Sequence, residues 1–341
     1  MIVLYIILAI LVFGFMIMIH ELGHFLFAKK FGVTIEEFSI GMGPKILSKK
    51  GKDGVVYSLR ALPLGGYVAM VGETEDSEDP NAFNRKPAWQ RFIIVIAGAI
   101  MNLLVGIIIM IILTICSSNF GSTVIGEFND NSISDEYGLQ VGDEIIEVAG
   151  TSVHTYDELS YEIMRSGYEP IDVTVIRNGE KRTFNVTFPQ MVSQNVVFGS
   201  MDFRVYGEDK TFSTVVKNAF FSIKSTIKMI WDSIFDLLSG RYGIEQVSGP
   251  IGVTGAITQA AQFGAQSFFY MVVVISINLG VFNLLPIPAL DGGTLVFLII
   301  EMIAKKPVPR KIEERIKLVG FALLMLLVIF VTFKDIFSLF S

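Results

Sequence analysis

The chain has 341 residues, 52% of them hydrophobic and 18% charged, and a net charge of −6. A mean hydropathy of +0.57 excludes an ordinary soluble domain of this length, because long unbroken apolar runs carry the excess. The charge is uneven: residues 119–215 hold 6 Lys/Arg and 16 Asp/Glu, a net of −10, which leaves +4 elsewhere. No basic patch lies in that acidic part, so no nucleic-acid partner is expected.

A membrane helix needs about 20 apolar residues, and four stretches qualify. The first, Ile2–Phe27, lacks a basic leader and a small-x-small cleavage site, and reads as a retained span. Residues 33–71 read as strands: Val55-Val56-Tyr57-Ser58-Leu59-Arg60 alternates, and Lys52-Asp53-Gly54 signals a turn. Residues 72–88 are polar and acidic and read as a loop. The second span is Phe92–Ser117; the single cysteine, Cys116, near its end excludes an internal disulfide and reads as a buried small hydrophobe.

An acidic soluble module follows at 119–215. In 213–238, Val216, Phe220, Ile223, Ile227, Ile230, Ile234, Leu237 and Leu238 recur at helical spacing, interrupted by Lys217, Lys224, Lys228, Asp232 and Asp236. This predicts an amphipathic helix, lying either on the outer membrane face or against the soluble module. The third span, Phe268–Ile303, is too long for one plain crossing and is interrupted by Pro286 and Pro288. The fourth is Ile316–Phe333. Lys and Arg crowd the 28–91 and 304–317 connections, which places both in the cytoplasm and the acidic module and both termini outside.

His20-Glu21-Leu22-Gly23-His24 carries the chemistry. On a helix, positions i and i+4 share a face, so both imidazoles can reach one metal and the glutamate between them can act as a base toward water. A bare match of this kind occurs by chance in soluble proteins. Here 18 uncharged residues precede it, so it lies in or at the inner end of a span, where ionisable groups are costly and functional by default. His154, the only other histidine, reads as a surface residue. A catalytic zinc site usually has three protein ligands, so an acid must complete the set. Asp291 is the candidate. It follows the prolines of Asn283-Leu284-Leu285-Pro286-Ile287-Pro288-Ala289-Leu290 and precedes Gly292-Gly293, and a helix broken at membrane depth lines a cavity.

These motifs resemble the site-2 protease family of zinc intramembrane metalloproteases, in its bacterial branch with an inserted PDZ domain. The marks are His20 through His24, Leu62 through Val68, Gly98-Ala99-Ile100-Met101-Asn102 and Asn283 through Gly293, in the family's order along nearly the whole chain. Ala99 departs from the proline that many relatives carry. The resemblance implies Zn2+ bound by His20, His24 and Asp291, with Glu21 as general base. It also implies substrate contacts from Asn102, Asn283, Gly65 and Gly66. Tyr137 through Ile146, with the strand-like Ile171–Arg177 and Arg182–Phe188, resembles a PDZ domain. Such a domain would bind a peptide by strand addition or filter substrates by size.

The expected architecture is an α-helical polytopic protein of the cell membrane with about four transmembrane helices, a membrane-associated β-hairpin region and one inserted α+β PDZ domain. Its parts would be 1–118 (N-terminal membrane part), 119–192 (extracytoplasmic PDZ domain), 193–266 (linker and amphipathic helix) and 267–341 (C-terminal membrane part). The active site would lie near the cytoplasmic side. By the resemblance, substrates would be single-span transmembrane proteins, such as anti-sigma factors, or remnant signal peptides, cut in the lipid bilayer. Three other readings compete: a metal transporter on the same ligands, a catalytically dead binding module, and a zinc protease of another membrane family with Glu301 as third ligand. The second and fourth spans offer almost no polar path for a transporter, and the motif residues of an active member are all present.

Overall fold

The computed structural model describes residues 2–193, 196–241 and 243–338. It divides into two compact units, 1–109 with 247–341, and 110–246. Four of its helices are long and apolar enough to cross a membrane: Ile6–Lys30, Ala88–Cys116, Ala265–Leu284 and Arg310–Phe337.

The first unit begins with α1 (Ile2–Lys30), an unbroken apolar helix ending in Lys29 and Lys30, where cations suit the negative end of the helix dipole. Gly32, at φ +66°, turns the chain out of it. Next come β1 (Ile35–Lys50) and β2 (Val56–Met70), an antiparallel hairpin closed by the expected turn, with Gly54 at φ +85°. The hairpin is bulged and doubles back, so that Ile40 faces both Gly66 and Leu59. Phe25, Ile94, Val68 and Leu295 share a core that fixes the hairpin against the helices.

Helix α2 (Ala88–Cys116) runs on from the loop. The third predicted span divides: α6 (Ala265–Leu284) is separated from α7 (Asp291–Ala304) by residues 285–290, after the short α5 (Pro250–Gln262). Pro286 and Pro288 cannot donate to a helical ladder, and only α6 keeps spanning length. A side chain at Gly280 would sit 3.0 Å from the Ala99 carbonyl, and one at Gly106 would strike Ile277. Small residues thus let α6 lie close on α2, as membrane helices require. The last helix, α8 (Arg310–Ser338), is apolar and largely exposed, and is one of the four with spanning length.

The second unit holds β3 (Phe120–Phe128), β4 (Glu144–Val148), β5 (Thr151–Ser152), α3 (Tyr156–Ser166), β6 (Ile171–Arg177) and β7 (Glu180–Val186). It continues with β8 (Gln190–Ser193), β9 (Val196–Gly199), β10 (Phe203–Glu208) and α4 (Phe212–Leu238). The main sheet runs β10-β3-β4-β6-β7, with β5 paired to β4, so it draws in a strand beyond residue 192. Asp202 fastens that strand: its buried carboxylate accepts from the Ile133 and Ser134 backbone at 2.8 and 3.0 Å and from Ser134 Oγ at 2.6 Å. Ile125, Ile145, Leu159, Ile163, Val173 and Phe188 fill the core. The 213–238 periodicity becomes α4, capped at Thr211. Cys116 is exposed rather than buried, because it sits on the outer face of the last turn of α2.

Candidate metal centre

The i, i+4 spacing on α1 sets His20 and His24 on one side of the helix, their ring centres 4.7 Å apart and edge to face. Their Nε2 atoms are 3.1 Å apart. Asp291, the first residue of α7, brings Oδ2 to 3.0 Å from His20 Nε2 and 3.3 Å from His24 Nε2. Among the described residues these three are the only His, Cys, Asp or Glu side chains grouped closely enough to hold a metal ion.

The donor set fits zinc. Ligand atoms about 2.0–2.1 Å from a tetrahedral zinc lie about 3.3 Å from one another, and the three separations here are close to that. His24 Nδ1 donates to the Ile94 carbonyl at 2.8 Å, which leaves the Nε2 lone pair facing His20 and Asp291. Asp291 Oδ2 is buried and aimed at the two histidine Nε2 atoms, so its carboxylate oxygen stands where a third donor to zinc would.

Two glycines make the arrangement possible. A Cβ on Gly23 would fall 2.4 Å from the Ala97 carbonyl, so α1 and α2 cross at contact distance there. A Cβ on Gly98 would fall 2.5 Å from His24 Nε2, inside the site itself. Gly98 therefore keeps α2 out of the space between His20, His24 and Asp291. A position that only glycine can occupy was visible in the sequence as part of a motif, but nothing local said what it faces.

Glu21 points to the hairpin: its carboxylate hydrogen-bonds the Val68 backbone, and a Cβ on Gly66 would lie 3.6 Å from its Cγ. A Cβ on Gly66 would also fall 2.7 Å from the Ser39 carbonyl oxygen, while Gly65 adopts φ +84° beside Met42. Gly66 thus brings strand backbone close to Glu21. Asn102, one helical turn along α2 from Gly98, is buried, and both atoms of its amide lack a protein partner. Its carbonyl accepts from Ser276 Oγ at 2.7 Å, which ties α6 to α2 at this level. Asn283 is half-buried in the last turn of α6. Glu301 lies ten residues along α7 from Asp291, about 15 Å at the helical rise, and its carboxylate pairs with Arg91 of α2. His154 is about two-fifths exposed, stacked on Phe221 and bonded to Glu158.

The sequence model of peptidase family M50 matches residues 8–327. A Clostridium acetobutylicum protein with the provisional name of a zinc metalloprotease is 38% identical over 337 residues, 97% of both chains. The zinc metalloprotease RasP of Shouchella clausii is 30% identical, with 97% of this chain and 98% of that protein covered. The regulator of sigma-W protease RasP of Bacillus subtilis is likewise 30% identical at the same coverage.

Proposed function

The chain belongs to peptidase family M50 and is a zinc metalloprotease, and from that premise we propose that it cuts peptide bonds within the membrane. Its substrates are transmembrane segments of single-span proteins. The observation that carries this reading is the meeting of His20 and His24 with Asp291 on helices of an apolar, membrane-spanning unit. The name of the Bacillus subtilis relative suggests an anti-sigma-factor-like substrate in regulated intramembrane proteolysis, with remnant signal peptides as the other class.

His20, His24 and Asp291 hold the ion. When bound, zinc supplies a Lewis acid that polarises the scissile carbonyl and lowers the pKa of water. Glu21, which is not a ligand, takes the proton from the attacking water and passes it to the leaving amine nitrogen. A substrate helix hides its amides, so it must unwind before it can be cut. The β1–β2 hairpin offers backbone for strand addition at Gly65 and Gly66, next to Glu21. The unpartnered amide of Asn102 and the side chain of Asn283 bind the extended substrate backbone.

The basic 28–91 and 304–317 connections support a site near the cytoplasmic face, with the acidic module and the termini outside. The module at 119–192 is read as a PDZ domain that meets what remains of a substrate outside the bilayer, by peptide binding or as a size filter.

The test is cleavage of a tagged single-span protein by purified wild type and Glu21→Gln, with zinc quantified in both. Cleavage by wild type alone at equal zinc supports the reading. If wild type loaded with zinc cuts no membrane segment but does cut unfolded soluble chains, the intramembrane assignment fails.

A further inference from the structure

Asp291 reaches the histidines from a turn that two helices crowd. Residues 285–290, where the prolines end α6, fold back tightly: Leu290 N donates to the Ile287 carbonyl at 3.0 Å, and Gly293 N to the Leu290 carbonyl at 3.1 Å. The first turn of α7 packs against this turn. A Cβ on Gly292 would strike the Leu285 carbonyl, and one on Gly293 would fall 2.6 Å from the Ile287 carbonyl oxygen. Helix α8 packs against it as well. A Cβ on Gly320 would fall 2.8 Å from Pro288 Cβ and 3.2 Å from the Ala289 nitrogen. Carbon atoms in contact settle at about 3.5–4.0 Å, so a single methyl group at 320 has to displace the turn or the helix.

Close contact is the exception on α8. Leu318, Val319, Phe321 and Leu323 are between 55 and 68% exposed, whereas Gly320 among them is buried. Glu313, Lys317, Gly320, Leu324, Val331 and Asp335, all buried or half-buried, recur three, four or seven residues apart. That spacing puts them on one narrow side of the helix, the side by which it is attached.

Polar bonds fasten the helix at both ends. In its first turn, Arg310 pairs with Asp76 and donates to the Thr74 carbonyl, both in the loop that follows β2. In its last turns, the buried Asp335 carboxylate accepts from Gly252 N at 2.7 Å, in the first turn of α5. A Cβ on Gly249 would fall 2.8 Å from the same oxygen. Residues 310 and 335 stand about 37 Å apart along the axis, with Gly320 about 15 Å from the first. A slip of one residue moves α8 by about 1.5 Å and breaks both anchors. The level at which Gly320 meets Pro288 is therefore fixed.

We propose that α8 positions the third metal ligand: Gly320, held in register by Arg310 and Asp335, backs the Pro288 turn and so sets where the Asp291 carboxylate stands. Asp291 follows three residues after Pro288, as the first residue of α7. Its Oδ2 is 3.0 and 3.3 Å from the two histidine nitrogens, and a ligand set works only when it is held to within about 0.5 Å. Gly320 is a positioning residue, acting on the ion through the turn. The inference rests on reading His20, His24 and Asp291 as the zinc ligands.

The full chain is purified in detergent as wild type, Gly320→Ala, Gly320→Ser, Leu323→Ala and Asp291→Ala, with helix content checked by circular dichroism. Chelator competition measures zinc affinity, and the visible absorption bands of added cobalt(II) report ligand geometry. Gly320→Ala should weaken zinc binding about tenfold or more and shift the cobalt bands. Leu323→Ala, on the exposed side of the same helix, should match wild type in both readings. Gly320→Ser carries the same Cβ and should behave as the alanine variant does; it decides the matter if that variant loses helix content. Wild-type affinity and cobalt bands in the folded Gly320 variants would overturn the proposal, because α8 then yields without moving Asp291. An equal loss in Leu323→Ala would also overturn it, since any change in α8 would then weaken the site. Asp291→Ala separates this from the ligand reading. Zinc kept at wild-type affinity there refutes the ligand set, whereas zinc lost there and kept in Gly320→Ala refutes only the positioning by α8.

Discussion

His24 donates from Nδ1 to the backbone carbonyl of Ile94 over 2.8 Å, across the α1–α2 crossing. Because a carbonyl can only accept, the bond fixes the tautomer and turns the Nε2 lone pair toward His20 and Asp291. The orientation depends on backbone and not on the identity of residue 94. His24→Ala should therefore release zinc, whereas Ile94→Val should keep it and cost only about 0.5–1.5 kcal/mol of stability for the lost methylene. Elemental analysis of the purified proteins, with thermal unfolding, checks both.

Glu21 lies one residue from a proposed ligand yet contacts the Val68 backbone instead of the ligand cluster. Glu21→Gln should lower the cleavage rate by about 10²–10⁴-fold, the usual worth of a general base, and leave bound zinc unchanged. Loss of zinc in this variant would make Glu21 a ligand and remove the assignment as base.

Asp291 and Glu301 are acids of one helix with different surroundings. Asp291→Ala removes an oxygen 3.0 Å from His20 Nε2 and should abolish zinc binding and cleavage. Glu301→Gln leaves the guanidinium of Arg91 without its charged partner and should lower stability, with zinc content unaffected. Zinc loss on changing Glu301 but not Asp291 would reverse the ligand assignment.

Gly98 brings α2 against the proposed ligands His20 and His24. Gly98→Ala places a methyl 2.5 Å from His24 Nε2, and the ring must move to admit it. Zinc affinity should fall by about 10–100-fold, the range seen when the supports of a ligand are disturbed. Competition with a graded series of chelators would measure this. Wild-type affinity in the variant would show that the helices separate freely there.

Glu37 of β1 gives the hairpin a pH dependence. Burial pushes its carboxyl up, but hydrogen bonds from Ser58, Lys45, Arg60 and Tyr67 outweigh this and hold it at about 2. A depressed folded pKa means that the contribution is fully present above the ordinary carboxylate value of about 4.3 and is lost as the pH falls through about 2. Protection of the hairpin amides, taken relative to intrinsic exchange at each pH, should hold at pH 5 and fall on acidification, and Glu37→Gln should flatten that dependence. The same acid response in the variant would assign it to another group.

Much of this protein is written locally. The four apolar stretches became helices because a run of about 20 apolar residues has one stable form in lipid, and the prolines broke the third where they stand. The strands of 33–71 and the amphipathic helix of 213–238 followed from period-two and helical patterning, which reports local geometry and burial. Patterning could not show that the sheet of the second unit continues to β10, since that pairing with β3 joins segments about 80 residues apart.

The amino-acid sequence by itself determined that His20, Glu21 and His24 share one helix with both histidines on one face, because the 3.6-residue period fixes that spacing wherever the helix packs. It also singled out Asp291 as the candidate third ligand, by the prolines before it and the glycines after it, with Glu301 as the competing acid. Only the tertiary structure turns Asp291 toward the histidines and Glu301 toward Arg91, a placement that supports Asp291. It also revealed that Gly98 borders the site and that α4 packs by its charged side. Such facts depend on which surfaces meet, and a surface chooses its partner through contacts between residues far apart in the chain, which no local periodicity encodes.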